Sequence, residues 1–384
     1  MKFMHLSDLH VGKSVNGFSM IAEQEYVFGQ IIGYIMAERP AAVIIAGDVY
    51  DRAVPSVEAV LAFDNFLTAL AGEGVAVMLI AGNHDSPERL HYASRLLADK
   101  NLFFYGVFNK SDGIKKITLP DEYGAVNFWL LPFIKPSSVR GAFEGRDVES
   151  HADAVAAAIE AAEVDYASRN VLVSHQFYTK AGVAPLLSES ELAPVGGLDA
   201  VDAGVIEQFD YAALGHLHRE QCAGAKHIRY CGSPVKYSFS EREHKKSVTI
   251  VELGEKGNLA VSTLPLTPIH DMRVIKGPIK ELLSDKASAA ADREDYLHAV
   301  LTDNDELLFP MDQLRSAYPN IMSLDYENSR TGINPGAITA DAEAIQNTSF
   351  YDLFSQFFLE TQASVMSGQQ AEIVRRLLET EGEE

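Results

Sequence analysis

Residues 43–52, Val-Ile-Ile-Ala-Gly-Asp-Val-Tyr-Asp-Arg, constrain the fold more than any other stretch. Apolar and small residues run without a break into Gly47 and then Asp48. A continuous apolar run of this length is the pattern of a parallel strand buried on both faces. Such a strand delivers Asp48 to the edge where open α/β sheets keep their chemistry. One aspartate after one strand is more often a cap or turn residue. Here four other stretches end alike: 4–10 in Asp8-Leu9-His10, 78–85 in Gly82-Asn83-His84-Asp85, 171–175 in His175, and 212–218 in Gly215-His216-Leu217-His218. Five strand ends carrying histidine, aspartate or asparagine make coincidence a poor explanation.

Between these ends the chain alternates strand and helix. Residues 19–39 place Ile21, Val27, Ile31, Ile32 and Ile35 at helical spacing and stop at Pro40; residues 56–71 form a second helix ended by Gly72 and Gly74. The strand at 75–81 and a helix over 87–98 follow, so a parallel layered sheet is expected. Alternating runs at 116–119 and 126–131 predict antiparallel strands of a second sheet, and the alanine-rich segment 152–163 a helix. Residues 180–200 read as a long loop. Hairpins at 247–253 and 259–264 are expected to complete the second sheet. Pro265 and Pro268 mark a boundary, beyond which strands at 296–301 and 321–326 and a helix at 311–318 predict a small α/β unit. Two helices over 350–378 close the chain.

With 384 residues, 47% hydrophobic and 22% charged, the composition is that of a globular protein with more than one domain. No apolar run reaches membrane-spanning length, and Asp8 interrupts any signal-peptide core, so a cytoplasmic protein without membrane association is expected. Cys222 and Cys231 read as reduced thiols in a hairpin. A net charge of −22 argues against a protein that coats nucleic acid unaided, but a divalent metal brings its own positive charge to a phosphate substrate. The tail is disproportionately acidic: residues 341–384 hold 2 basic and 9 acidic residues, which suits a basic protein surface better than DNA.

Histidine, aspartate and asparagine together suit a borderline-hard divalent ion such as manganese, and the absence of cysteine ligands argues against structural zinc. Asp8, His10, Asp48, Asn83, His175, His216 and His218 are the seven candidate ligands; with Asp48 bridging, they leave room for water and substrate on two metals. In Gly-Asn-His-Asp, Asn83 is the ligand and His84 points elsewhere. His84 is expected to stabilise the pentacoordinate phosphorus and protonate the leaving oxygen, with Asp85 holding its imidazole.

Asp-x-His, Gly-Asp, Gly-Asn-His-Asp, a histidine after a strand, and Gly-His-x-His, in this order, resemble the calcineurin-like metallophosphoesterase superfamily. Carried over residue by residue, Asp8, His10 and His218 with Asp48 match one metal site, and Asn83, His175 and His216 with Asp48 match the other. Residues 8–13, 47–52, 209–218 and 232–241 are more specific and resemble the SbcD family of bacterial double-strand-break repair nuclease subunits. The resemblance covers nearly the whole chain. It implies a four-layered α/β sandwich of two mixed sheets flanked by helices, over residues 1–268. A small α/β capping, DNA-binding domain (269–338) and a helical tail (339–384) that binds the partner follow. It also implies two manganese ions, with magnesium as the alternative, and 3′ to 5′ exonuclease and endonuclease activity on DNA. The implied assembly is a homodimer, and a heterotetramer with an SbcC-type ATPase.

Simpler readings stand beside these. A single histidine is more often structural, as His5, inside the first strand, is read, and His91, His151, His227, His244, His270 and His298 have no ligand company. Lys13, Arg52, Arg89 and Lys236 either meet DNA phosphates or make local ion pairs, and residues 242–246 read as a solvated turn. The helices after Asp48 and Asn83 are the candidate dimer surface. A small-molecule phosphoesterase would share the metal chemistry without needing cap or tail, and a non-catalytic scaffold would not need the ligand set.

Overall fold

The computed structural model describes residues 1–384 except 110–112, 144–145, 181, 184, 192–198, 285–291, 328–348, 363–364 and 382–384. The chain divides into two compact units, Met1–Asp271 and Met272–Glu384.

The first unit is built on Ala42–Ala46, five residues buried on both faces at the middle of a six-stranded sheet. Lys2–Leu6, Ala76–Ile80 and Leu102–Tyr105 run parallel to it, so the chain leaves these strands at one edge. A second six-stranded sheet repeats the arrangement: Gly124–Leu131, Arg169–Ser174, Tyr211–Leu214 and Ile228–Tyr230 are parallel, and Lys115–Asp121 closes one edge as an antiparallel hairpin partner. Phe3, Ile44, Met78, Phe128, Val171, Val173 and Tyr211 form the core between the two sheets. Phe3 meets both Phe128 and Tyr211 edge to face, at 5.5 and 5.8 Å between ring centroids.

Helices cover the outside. Ile21–Glu38 and Val57–Gly72 pack on one another through stacked Phe28 and Phe66, 4.2 Å apart. His151–Ala161 lays Ala154, Val155 and Ala158 against Leu172, Leu214 and Tyr230 of the second sheet. The result is the expected four layers. Among the described residues, no helix is long and apolar enough to cross a membrane.

Two local expectations change. The hairpin strands Ser247–Leu253 and Leu259–Pro265 join the first sheet, not the second: Ser247–Leu253 lies antiparallel to Lys2–Leu6, with His5 opposite Thr249. Alternation sets which residues of a strand face inward, and it carries no information on which of two sheets accepts the strand. The helix expected over 87–98 is two short pieces, Pro87–His91 and Ser94–Ala98, separated where Ala93 takes a left-handed φ of 59°.

In the second unit, three parallel strands, Met272–Gly277, Tyr296–Leu301 and Ile321–Tyr326, pack Leu297, Ala299 and Ile321 against Leu282 and Leu314 of two helices. Phe350–Gln362 and Gly368–Glu381 form the tail helices, with the Arg375 guanidinium 4.8 Å over the Tyr351 ring. Residues 328–348, between this unit's third strand and the tail helices, lie outside the described residues.

Truncating Phe128 removes an aromatic side chain that fills the space between the sheets. Phe128→Ala is expected to cost about 3–5 kcal/mol in the first unit. Urea unfolding followed by the fluorescence of Trp129, the single tryptophan, measures it.

Candidate metal centre

The parallel strands of both sheets bring their following loops to one edge, and the predicted polar residues meet there. Asp8, His10, Asp48, His175 and His218 are all buried, at 0–3% exposure, while Asn83 and His216 keep some access to solvent. Ligand-capable atoms of Asp8, His10 and His218 lie within 4.8 Å of one another, as do those of Asp8, Asp48 and His175, and of His10, Asp48 and His84.

Asp48 lies in two of these groups. Its Oδ1 accepts the His84 backbone N–H at 2.9 Å, so Oδ2 is the atom facing both His175 Nε2 at 3.2 Å and His10 Nε2 at 3.6 Å. On one side His10 Nε2 stands 3.1 Å from His218 Nε2. On the other, Asn83 Oδ1 lies 3.1 Å from His175 Nε2 and 2.9 Å from His216 Nδ1. The Asp8 carboxylate accepts the His216 backbone N–H at 2.9 Å and the Ser7 hydroxyl.

Close approach of these loops depends on glycine. A Cβ on Gly82 would fall 2.1 Å from Asp48 Oδ1, and one on Gly215 would fall 2.0 Å from the Ala46 carbonyl and 2.6 Å from His175 Nδ1. Asp8, His10, Asp48 and His216 themselves adopt positive φ, at 53°, 43°, 49° and 102°. Non-glycine residues held in this region carry strain, which concentrates at functional sites.

The electrostatics call for cations. Burial pushes the Asp8 carboxyl up, while against burial His175 holds Asp48 well below the usual carboxylate range. His175 is in turn held up, to about 9, because the Asp48 carboxylate outweighs burial. Burial holds His10 well below the ordinary histidine value and His216 down at about 3, leaving neutral rings with free lone pairs. Two facing ring nitrogens 3.1 Å apart, two buried carboxylates and an asparagine oxygen form a donor set that fits divalent metal. Asp8, His10, His218 and Asp48 would hold one ion, and Asn83, His175, His216 and Asp48 a second.

Supporting contacts orient the rings. His175 Nδ1 donates to the Ala46 carbonyl at 2.7 Å, which turns Nε2 to the centre. His84 does the same with the Asp51 carbonyl at 3.0 Å, and its ring meets His10 edge to face at 4.8 Å. Asp85 was expected to hold the His84 imidazole, and it does not. Its carboxylate accepts the backbone N–H groups of Val49, Tyr50 and Gly82, tying the loop after Asp48 to the loop carrying Asn83. Burial and neighbouring Asp48 push Asp85 up to about 6. Adjacent residues on a turn point apart, so sequence proximity to His84 was a poor guide.

Sequence reading missed several supports. Glu241, Lys246 and Ser190 gather behind His218. Gln24 and Tyr237 bind the Leu9 carbonyl. Within 242–246 the turn residues Arg242 and Glu243, and Lys245, are exposed as expected, but Lys246 is buried. Its place close after Glu241, in a hydrophilic run, concealed this. Lys13 and Lys236 form local ion pairs with Asp51 and Asp271, exposed Arg52 lies 3.6 Å from Asp51, and Arg89 is exposed. Both cysteines are free; Cys231 is buried against Ser7 and Cys222 exposed. His5 is buried and bonded to the Tyr211 hydroxyl.

Fold and donor cluster together define the class, the calcineurin-like phosphoesterases, and residues 1–220 match the model of that family. Residues 268–362 match a second family, described as the Type 5 capsule protein repressor C-terminal domain. The chain is 31% identical over 327 residues to SbcD, the D component of nuclease SbcCD, of Staphylococcus epidermidis, covering 84% of this chain and 85% of that protein. It belongs to that SbcD family within the calcineurin-like phosphoesterases. Among solved structures it is similar to the phosphopantetheinyl hydrolase PptH of Mycobacterium tuberculosis, at 16% identity over 63% of this chain and 91% of that one, with a TM-score of 0.37. It is also similar to a dimetal phosphatase of Danio rerio, at 14% identity over 70% and 99%, with a TM-score of 0.41.

Gly82→Ala is expected to displace Asp48 and weaken metal binding on the order of 10–100-fold, the range seen when a ligand's support is disturbed. Metal content after dialysis against graded free manganese measures it.

Proposed function

We propose that this chain is the nuclease subunit of a complex with an SbcC-type ATPase, hydrolysing DNA phosphodiester bonds as a 3′ to 5′ exonuclease and as an endonuclease. The observation that supports the reading is that Asp48 Oδ2 faces both His10 Nε2, which has His218 beside it, and His175 Nε2, which has Asn83 beside it, with Asp8 close to both histidines. Two divalent ions, manganese by donor type, would polarise the phosphoryl group and neutralise charge developing on it. The chain's own residues do the rest. Asp8, His10 and His218 with Asp48 would hold one ion, and Asn83, His175 and His216 with Asp48 the other. His84 keeps a hydrogen on Nδ1 through the Asp51 carbonyl, so any proton it gives the leaving oxygen moves from Nε2. Asp85 acts indirectly, by fixing the loops of Asp48 and Asn83.

The dimer reading gains support from exposed apolar residues after Asp48 and Asn83: Val57 and Leu61 on the helix Val57–Gly72, Leu96 on Ser94–Ala98, and Tyr92 in the turn before it. The tail reading gains support from Phe350, Phe357, Ile373 and Leu377, which are exposed on an acidic helical pair. Residues 269–338 would form the DNA-contacting cap.

With manganese, the protein is expected to cleave single-stranded and hairpin DNA, and chelation to abolish cleavage. His84→Ala should keep the bound metal and lose at least about 100-fold in rate, the lower range for removing a general acid. Hydrolysis of small phosphodiesters without any DNA cleavage would favour a small-molecule phosphoesterase. Deleting residues 340–384 should leave cleavage of simple DNA and remove ATPase binding in a pull-down with the purified partner. Leu61→Asp should shift the protein from dimer to monomer in light scattering.

A further inference from the structure

His218 differs from the other candidate ligands in what stands behind it. His175 rests its Nδ1 on a neutral backbone carbonyl, whereas Nδ1 of His218 lies 2.8 Å from Ser190 Oγ and 3.3 Å from Glu241 Oε1. Ser190 has one hydroxyl hydrogen and gives it to Glu241 at 2.6 Å. Its oxygen therefore accepts from His218, which puts the ring hydrogen on Nδ1 and the lone pair on Nε2, facing the centre. Glu241 is fully buried, and its other oxygen is gripped by Lys246 Nζ at 2.6 Å. Lys246 also donates to the His218 carbonyl at 2.9 Å and to Ser233 Oγ at 2.8 Å.

We propose that Glu241 is a positioning residue of the metal centre, setting the tautomer of His218 through Ser190. This rests on the reading of His218 as a metal ligand. It gives the loop of Ser190, which carries no motif, a defined task. Direction is the important point. Lys246 has hydrogens only to donate, so in Glu241→Gln it takes the amide oxygen and turns the amide NH2 toward Ser190. Ser190 then accepts from the amide and donates to Nδ1 of His218, and the ring hydrogen moves to Nε2, where it blocks the lone pair.

The test is on the full chain without metal, at a pH where the imidazoles are neutral, followed by manganese titration. Two-dimensional 15N spectra of the histidine rings should show His218 as the Nδ1–H tautomer in the natural protein and as Nε2–H in Glu241→Gln. One equivalent of manganese should weaken roughly 10–100-fold in that variant, with the other equivalent unchanged. Adding Lys246→Met frees the amide oxygen to face Ser190, and should return the Nδ1–H tautomer and much of the affinity. An unchanged tautomer with both equivalents unaffected overturns the proposal. So does equal weakening of both equivalents with a lowered melting temperature, the mark of a merely structural role. A natural protein that binds no divalent metal removes the ligand reading itself, whatever the tautomer.

Discussion

Two carboxylates, Asp8 and Asp48, are taken out of water at the edge where two sheets meet, and the arrangement of this unit follows from what that requires. An uncompensated buried charge costs several kcal/mol. Here compensation comes from backbone N–H groups of His84 and His216, from a ring of imidazoles and, when bound, from metal. The groups arrive on strands of both sheets. Lys2–Leu6 and Ala42–Ala46 supply the carboxylates, while Arg169–Ser174 and Tyr211–Leu214 of the facing sheet supply His175, His216 and His218. Neither sheet can make the site alone, so the apolar core of Phe3, Phe128 and Tyr211 that joins them is as necessary to the chemistry as the ligands.

Packing so many polar groups into one place sets local demands. Glycine precedes Asp48, Asn83 and His216 because the neighbouring loops approach to distances that leave no room for a Cβ, as at Gly82 and Gly215. Four of the candidate ligand positions hold left-handed backbone. Bonds such as those from Asp85 to three backbone N–H groups keep these strained loops in place. The centre is thus preorganised by second contacts: Ala46 for His175, Asp51 for His84, and Ser190 with Glu241 for His218.

Three departures from sequence-based expectation share one cause. Asp85 follows His84 in the chain but bonds to the loop after Asp48. Lys246 sits in a hydrophilic run but is buried against the His218 carbonyl. Ser247–Leu253 alternates like any edge strand but pairs with Lys2–Leu6. In each case the deciding partner is distant in sequence or on another element, and no periodicity or composition within the segment encodes it.

What the sequence determined by itself was local: apolar runs long enough for buried strands, the polar residue at each strand end, and glycines where loops had to meet. Those are consequences of backbone period and side-chain size, and they suffice to place all seven candidate ligands at one edge. Only the tertiary structure decided which ring nitrogen each histidine turns to the centre, because a tautomer is set by the partner on the opposite nitrogen. For His175 that partner is 129 residues away, and Ser190 and Glu241 behind His218 are 51 residues apart.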